Sequence, residues 1–169
     1  TYGDWRYKLT LLGDDEDNNI HFWDSENVAG IIGKYTQYNV KKIYLDAYEQ
    51  VSFGSGEKYP DVNTDIDQSF DKGHLIFNYL GHGGESGMAH ERVITRPQIR
   101  AWDNKNKLPL TITATCELSR FDDPSQDSPG ELMLINENGG SIALITTTRL
   151  VFIGDNSNLN NAVFIDNIF

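Results

Sequence analysis

The sequence predicts an α/β protein whose mainly parallel central sheet carries helices on both faces. Short runs rich in apolar residues alternate with amphipathic segments through five strands and four helices, the pattern of right-handed strand-helix-strand crossovers. The stretch Leu75 to Leu80 (Leu-Ile-Phe-Asn-Tyr-Leu) has five apolar residues in six, which suits a strand buried on both faces. It ends in Gly81-His82-Gly83-Gly84, and a second run, Leu108 to Cys116, ends in the only cysteine. If the two strands are parallel neighbours, a base and a thiol emerge side by side at the sheet edge where α/β proteins collect their chemistry.

Taken in order, Lys8 to Leu12 is a short strand closed by Gly13 and the acidic loop Asp14 to Asn19. Ser25 is placed to cap the next helix, whose Val28, Ile31, Ile32, Tyr35 and Tyr38 keep the spacing of one buried face. Lys42 to Tyr48 is rich in strand formers, and Gly54 to Pro60 carries turn residues. Asn63 or Thr64 caps a short helix with Ile66 and Phe70 inward, stopped by Gly73. After the central strand and a loop to Arg92, Thr95 caps a helix with Pro97 in its first turn and Ile99 and Trp102 inward. Beyond the cysteine strand and the loop Glu117 to Asp127, Ser128-Pro129 opens a helix bearing Leu132, Met133 and Ile135. That helix ends at Gly139-Gly140, and Ser141 to Thr146 forms a last buried strand. The pattern assigns no element beyond Arg149.

At 169 residues, 38% hydrophobic and 23% charged, the chain suits one domain with a full core. A net charge of -11 argues against nucleic-acid binding, which needs clustered Lys and Arg. A single cysteine forms no internal disulfide and no cysteine-based zinc cluster, and it leaves the compartment open. No apolar stretch approaches the roughly 20 residues of a membrane span, and no signal-peptide pattern stands at Thr1. A start without Met and an end at Phe169 in an Asn-rich segment suggest a piece of something longer.

Cysteine hydrolysis of an amide needs a thiolate, a proton carrier and donors for the tetrahedral oxyanion. Cys116 suits the first role, His82 the second, and the backbone N–H groups of Gly83 and Cys116 the third. A glycine beside the histidine leaves the main chain open to the substrate carbonyl. The separation of 34 positions from His82 to Cys116 suffices for one crossover. Each residue alone has a blander reading: a buried, inert thiol for Cys116 and an exposed imidazole in a loop turn for His82.

Asn78-Tyr79-Leu80-Gly81-His82-Gly83-Gly84, then Thr113-Ala114-Thr115-Cys116-Glu117 and Arg120-Phe121-Asp122-Asp123-Pro124, resembles the catalytic half of the gingipain-type cysteine peptidases. Within that family the chain is most similar to the type IX secretion system sortases of the Bacteroidota, a pattern that Gly130-Glu131, Gly139-Gly140-Ser141 and Thr147-Thr148-Arg149 also fit. The likeness runs from about Trp5 to Arg149. It implies a caspase-like three-layer sandwich, with residues 1–169 as the C-terminal, catalytic subdomain of a larger protein and His82 and Cys116 at the family's catalytic positions.

The resemblance also implies an endopeptidase and transpeptidase on the outer face of the bacterial outer membrane. Its partners are secreted cargo proteins with a C-terminal signal domain and other type IX components. Cargo is released as a Cys116 acyl-enzyme and joined to anionic lipopolysaccharide. The carboxylate that supports the histidine in gingipains is expected at Asp14, with Asp15 one residue away. The acidic residue of the arginine-specific pocket falls near His21-Phe22, so arginine specificity is not implied. No cofactor is required; Asp15 and Asp17 form a weak calcium expectation. The loops Glu85 to Arg92 and Glu117 to Asp127 are expected to line the substrate cleft, with Gly84, Glu85 and Glu117 as candidates. The competing readings are a gingipain-like secreted protease without a sortase role, a non-catalytic caspase-like binding module, and a metal site built from Cys116, His82 and His90.

Overall fold

The computed structural model describes residues 3–54 and 56–168; Thr1, Ser55 of the expected turn and Phe169 lie outside them. In chain order the elements are β1 (Lys8–Gly13), α1 (Ile20–Ile32), β2 (Asn39–Tyr44), β3 (Val51–Phe53), β4 (Gly56–Lys58) and α2 (Pro60–Lys72). Then come β5 (Ile76–Leu80), β6 (Gly83–Gly84), β7 (Gly87–Met88), β8 (Ile94–Thr95), α3 (Arg96–Ala101) and β9 (Leu110–Ala114). The chain closes with α4 (Pro129–Ile135), β10 (Ala143–Ile145), α5 (Ile153–Ala162) and a π-helical turn, Val163–Ile168.

Five strands form one parallel sheet in the order β10-β9-β5-β1-β2. Side chains alternate across it and feed two cores. On one face Leu12, Phe77 and Tyr79 pack with Val62, Ile66 and Phe70 of α2, Ile99 and Trp102 around α3, and Leu132 and Met133 of α4. On the other face Leu9, Leu11, Ile76 and Ile112 pack with Val28 and Ile32 of α1 and with Val163 and Phe164. Each such side chain, fully buried, contributes about 1.5–3 kcal/mol. Helices thus cover both faces, giving three layers. No helix of the described residues is long and apolar enough to cross a membrane.

Several boundaries differ from the sequence pattern. α1 starts at Ile20, because Asn18 and Asn19 adopt the left-handed conformation that ends the acidic loop; Ser25 is buried inside the helix and caps nothing. α1 stops at Ile32, which leaves Tyr35 and Tyr38 beyond it. α2 starts at Pro60, whose fixed φ suits a first helical position, so Asn63 and Thr64 are interior residues. β2 ends at Tyr44 and gives way to a 3-10 turn, Leu45–Ala47. Ile135 is 60% exposed, since two residues after buried Met133 a helix has turned to its opposite side. β10 is an edge strand with Ala143 exposed, so the last strand is not fully buried. By contrast, the capping boxes at Thr95 and Ser128 stand where the sequence put them.

Candidate active site

The strand order makes β1 and β5 the pair at which chain connectivity reverses, and ligand crevices open at the carboxyl ends of such pairs. Asp14 leaves β1 there and His82 leaves β5. Their junction is tight: Asp14 N donates to Leu80 O at 3.0 Å, and Gly81 N donates to Ala114 O at 3.2 Å. Gly81 has a φ of 157°, and a Cβ on it would stand 2.4 Å from both Asp14 Cβ and Tyr79 Oη, so glycine is required.

Two carboxylates of one loop hold His82 in different ways. Asp14, 1% exposed, accepts the His82 backbone N–H on Oδ2 at 2.7 Å and so fixes the turn rather than the ring. Asp17 Oδ2 lies 2.8 Å from His82 Nε2 and is the imidazole's partner. Asp14, expected to support the histidine, thus does so through the backbone, and the ring is met by Asp17. Three successive left-handed residues, Asp17, Asn18 and Asn19 (φ 58°, 55° and 65°), turn the loop so that Asp17 reaches back over the strand ends. Asp and Asn tolerate that conformation better than most residues. Burial pushes the Asp14 carboxyl up to about 6, whereas the hydrogen bond to His82 holds Asp17 below the usual carboxylate range.

Tyr79 was legible as core and missed as a site residue. Its buried hydroxyl lies 2.5 Å from His82 O and 3.2 Å from Asp14 Oδ2, and accepts Ala89 N–H at 3.0 Å. That one oxygen pins the Gly-His-Gly-Gly turn. The His82 ring is partly exposed, stacks on His90 with centroids 4.9 Å apart, and meets the buried His21 edge-on at 5.5 Å.

Cys116 is reached from β9. Leu80 of β5 is in register with Ala114 of β9, so His82 and Cys116 each stand two residues past the same pair. The turn after β5 touches the cysteine segment directly, because a Cβ on Gly83 would fall 2.4 Å from Thr115 Oγ1. Thr115 O is held by Thr147 Oγ1 at 2.5 Å and by Asn156 Nδ2 at 3.2 Å. Cys116 Sγ lies 3.7 Å from Val151 O, and among the described residues no hydrogen bond joins it to His82. Thiol-imidazole contacts in substrate-free sites are commonly loose and tighten around substrate.

The two expected oxyanion donors differ in setting. Gly83 pairs with Met88, and the flanking Ala89 N–H to His82 O bond makes that pair a non-hydrogen-bonded one, which leaves Gly83 N–H unused by β7. Cys116 N–H has no backbone acceptor among the described residues. The loops after β5 and β9 are clamped together: Glu85 accepts from Arg120 Nη1 and, at 2.7 Å, from Gln126 Nε2. Gly84 and Glu117 are half-buried, Glu117 with a left-handed φ of 48°. A cavity of about 240 Å³ opens beside this edge, lined by His82, Gly83, Gly84, Ser86, His90 and Arg92 among others.

The acidic loop splits between two clusters. Asp14, Asp15 and Glu91 bring carboxylate oxygens within 4.8 Å of one another, while Asp17 groups with His21 and His82. Asp15 and Asp17, the two residues of the calcium expectation, thus fall in different clusters. Nor do Cys116, His82 and His90 converge: His90 presents its ring face to His82 and its Nδ1 to Glu16 at 3.5 Å.

The profile of peptidase family C25 matches residues 1–169. A Lys-gingipain of Porphyromonas gingivalis is 31% identical over 118 residues, 70% of this chain and 6% of that protein. Among solved structures, the arginine-specific cysteine proteinase gingipain R superposes with a TM-score of 0.77 at 16% identity, over 95% of this chain and 36% of that one. A complex of the Porphyromonas gingivalis RgpB pro- and mature domains gives 0.74 at 15% identity, over 97% and 38%. The chain therefore spans well under half the length of these relatives, and their shared architecture is the caspase-like sandwich.

Proposed function

Because this chain belongs to peptidase family C25, the gingipain family of cysteine peptidases, we propose that it forms the catalytic half of an endopeptidase with Cys116 as nucleophile and His82 as proton carrier. What supports the reading is that both residues follow one in-register strand pair by two positions, with the imidazole held on Asp17. His82 takes the thiol proton as Sγ attacks the scissile carbonyl, and Asp17 stabilises the imidazolium that forms. The tetrahedral oxyanion meets the Gly83 and Cys116 N–H groups, and His82 then protonates the departing amine. A thioester on Cys116 remains.

At a finer level we propose that the full-length protein is a type IX secretion sortase, on the strength of the sequence motifs around His82, Cys116 and Thr147-Thr148-Arg149. Water resolving the thioester releases cargo freed of its C-terminal signal domain. An amine on an anionic lipopolysaccharide joins cargo to the glycan by transpeptidation. Both reactions belong on the outer face of the outer membrane, beside the other secretion components. The chemistry needs no cofactor, and a calcium ion on the acidic loop, proposed from Asp15 and Asp17, would be auxiliary to it.

Replacing Cys116 by Ala in the full-length protein tests the sortase reading. Cargo that retains its signal domain in the cell envelope is the expected result. Normal cargo processing in that variant sinks it, and broad cleavage of unrelated peptides by the wild type, without preference for signal junctions, favours a secreted protease.

A further inference from the structure

We propose that Asp17, His21 and His82 form a binding site for a divalent transition metal of the zinc class, and that its occupation silences the peptidase by capturing His82. His21 motivates the idea. It is 4% exposed, yet its Nε2 is buried without a hydrogen-bond partner, and it faces Asp17 Oδ2 at 3.5 Å. A buried imidazole nitrogen left unsatisfied is costly unless a ligand completes it. Asp17 Oδ2 also lies 2.8 Å from His82 Nε2, and the three ligand atoms fall within 4.8 Å of one another.

That donor set suits zinc. Two imidazole nitrogens and one carboxylate oxygen, at about 2.0–2.2 Å from the ion, form three corners of a tetrahedron whose corners stand roughly 3.3 Å apart. The two nitrogen-oxygen separations, 2.8 and 3.5 Å, bracket this spacing. His21 sits four residues after Asp17, on the first turn of α1, and is fixed by burial. His82 stays partly exposed, so the fourth position opens to water. Calcium is disfavoured because it prefers six to eight oxygen ligands. Magnesium is disfavoured for the same hard-oxygen preference, whereas imidazole suits zinc, copper and nickel.

Binding uses the Nε2 lone pairs of both histidines and one Asp17 oxygen. The proton that His82 Nε2 shares with Asp17 moves to Nδ1 or leaves to solvent. With Nε2 bound to a cation, the ring can no longer become the imidazolium that the acyl-transfer cycle needs. Metal binding itself is independent of the peptidase reading; the silencing rests on it.

The test uses the whole chain carrying Cys116→Ala, which removes the thiol as a competing ligand, with zinc chloride as the probe. Equilibrium dialysis is expected to find one zinc per chain. The ring proton resonances of His21 and His82 shift on zinc addition while that of the distant, buried His74 stays in place. His21→Phe in the same background weakens zinc affinity by roughly tenfold or more, and His90→Ala leaves it within about twofold. Absence of stoichiometric zinc, or zinc that binds without moving the His21 resonance, overturns the site. The resonance experiment decides the matter even if His21→Phe fails to fold. In the wild type, peptidase activity that persists with the site loaded overturns the silencing alone. A full-length wild-type protein with no activity at any zinc level refutes the peptidase reading and leaves the binding result standing.

Discussion

Asp14 and Asp17 are three residues apart, and each is predicted to leave a different trace when altered. Asp17 meets the His82 ring, so Asp17→Asn removes the charge that favours the imidazolium while keeping a hydrogen-bond acceptor. Because the Asp17 side chain is half exposed, the expected fall in kcat is about 10- to 100-fold, short of the largest losses seen for buried triad members. Steady-state kinetics should show that fall with little change in thermal stability. Asp14 meets the His82 backbone N–H and the Tyr79 hydroxyl rather than the ring, and its effect is on stability. Its carboxyl titrates near 6 in the folded chain against 3.8 in the unfolded one, so the folded state holds the extra proton between those values. Stability contributed by Asp14 is therefore fully present below about pH 3.8 and is lost as pH rises to 6, on the order of 3 kcal/mol. Melting curves from pH 4 to 6 are expected to show this downward trend in the wild type and a flatter profile in Asp14→Asn. Equal profiles would mean that Asp14 ionises normally.

At the scale of elements, the site depends on the contact between the turn after β5 and the segment after β9. Gly83→Ala drives a methyl group into Thr115 Oγ1, and is expected to cost about 1–3 kcal/mol and to lower activity by displacing the turn. Thr115→Ala should restore much of that loss, so the pair is expected to be strongly non-additive in a double-mutant cycle on both melting and kcat/KM. Additive losses would contradict the contact. The strands themselves were readable because buried parallel strands are near-continuous apolar runs, and β5 and β9 announce themselves that way. The last helix was not. α5 carries Asn156, Asn158, Asn160 and Asn161, and it docks through polar contacts: Asn78 Nδ2 donates to Asn160 Oδ1 at 2.8 Å, and Asn156 Nδ2 holds Thr115 O. Apolar periodicity is blind to a helix anchored by side-chain amides.

Across the whole molecule, one parallel sheet brings residues 68 positions apart, Asp14 and His82, to a single edge. His82 and Cys116 were legible from topology, since each ends a buried strand beside a glycine or a loop. Asp17 as the ring partner was not, because its position depends on three consecutive left-handed residues that no hydrophobic pattern encodes. The same turn carries the Asp17-His21-His82 cluster. The cysteine loop, by contrast, is held mostly from downstream: Glu117 N donates to Arg149 O and Ser119 N to Thr147 O, so the segment after β10 shapes the nucleophile's surroundings. Leu150 and Phe152, exposed by 75% and 83%, flank the Val151 carbonyl that Cys116 faces.

The central claim is that His82, oriented by Asp17, and Cys116 form one working site. The pH dependence of Cys116 alkylation by iodoacetamide, compared among the wild type, His82→Ala and Asp17→Asn, tests it most directly, because the thiolate is the reactive form. The account predicts alkylation below pH 7 faster than that of a free thiol, abolished by His82→Ala and reduced by Asp17→Asn. Slow alkylation with the profile of an ordinary thiol, the same in all three proteins, would contradict it.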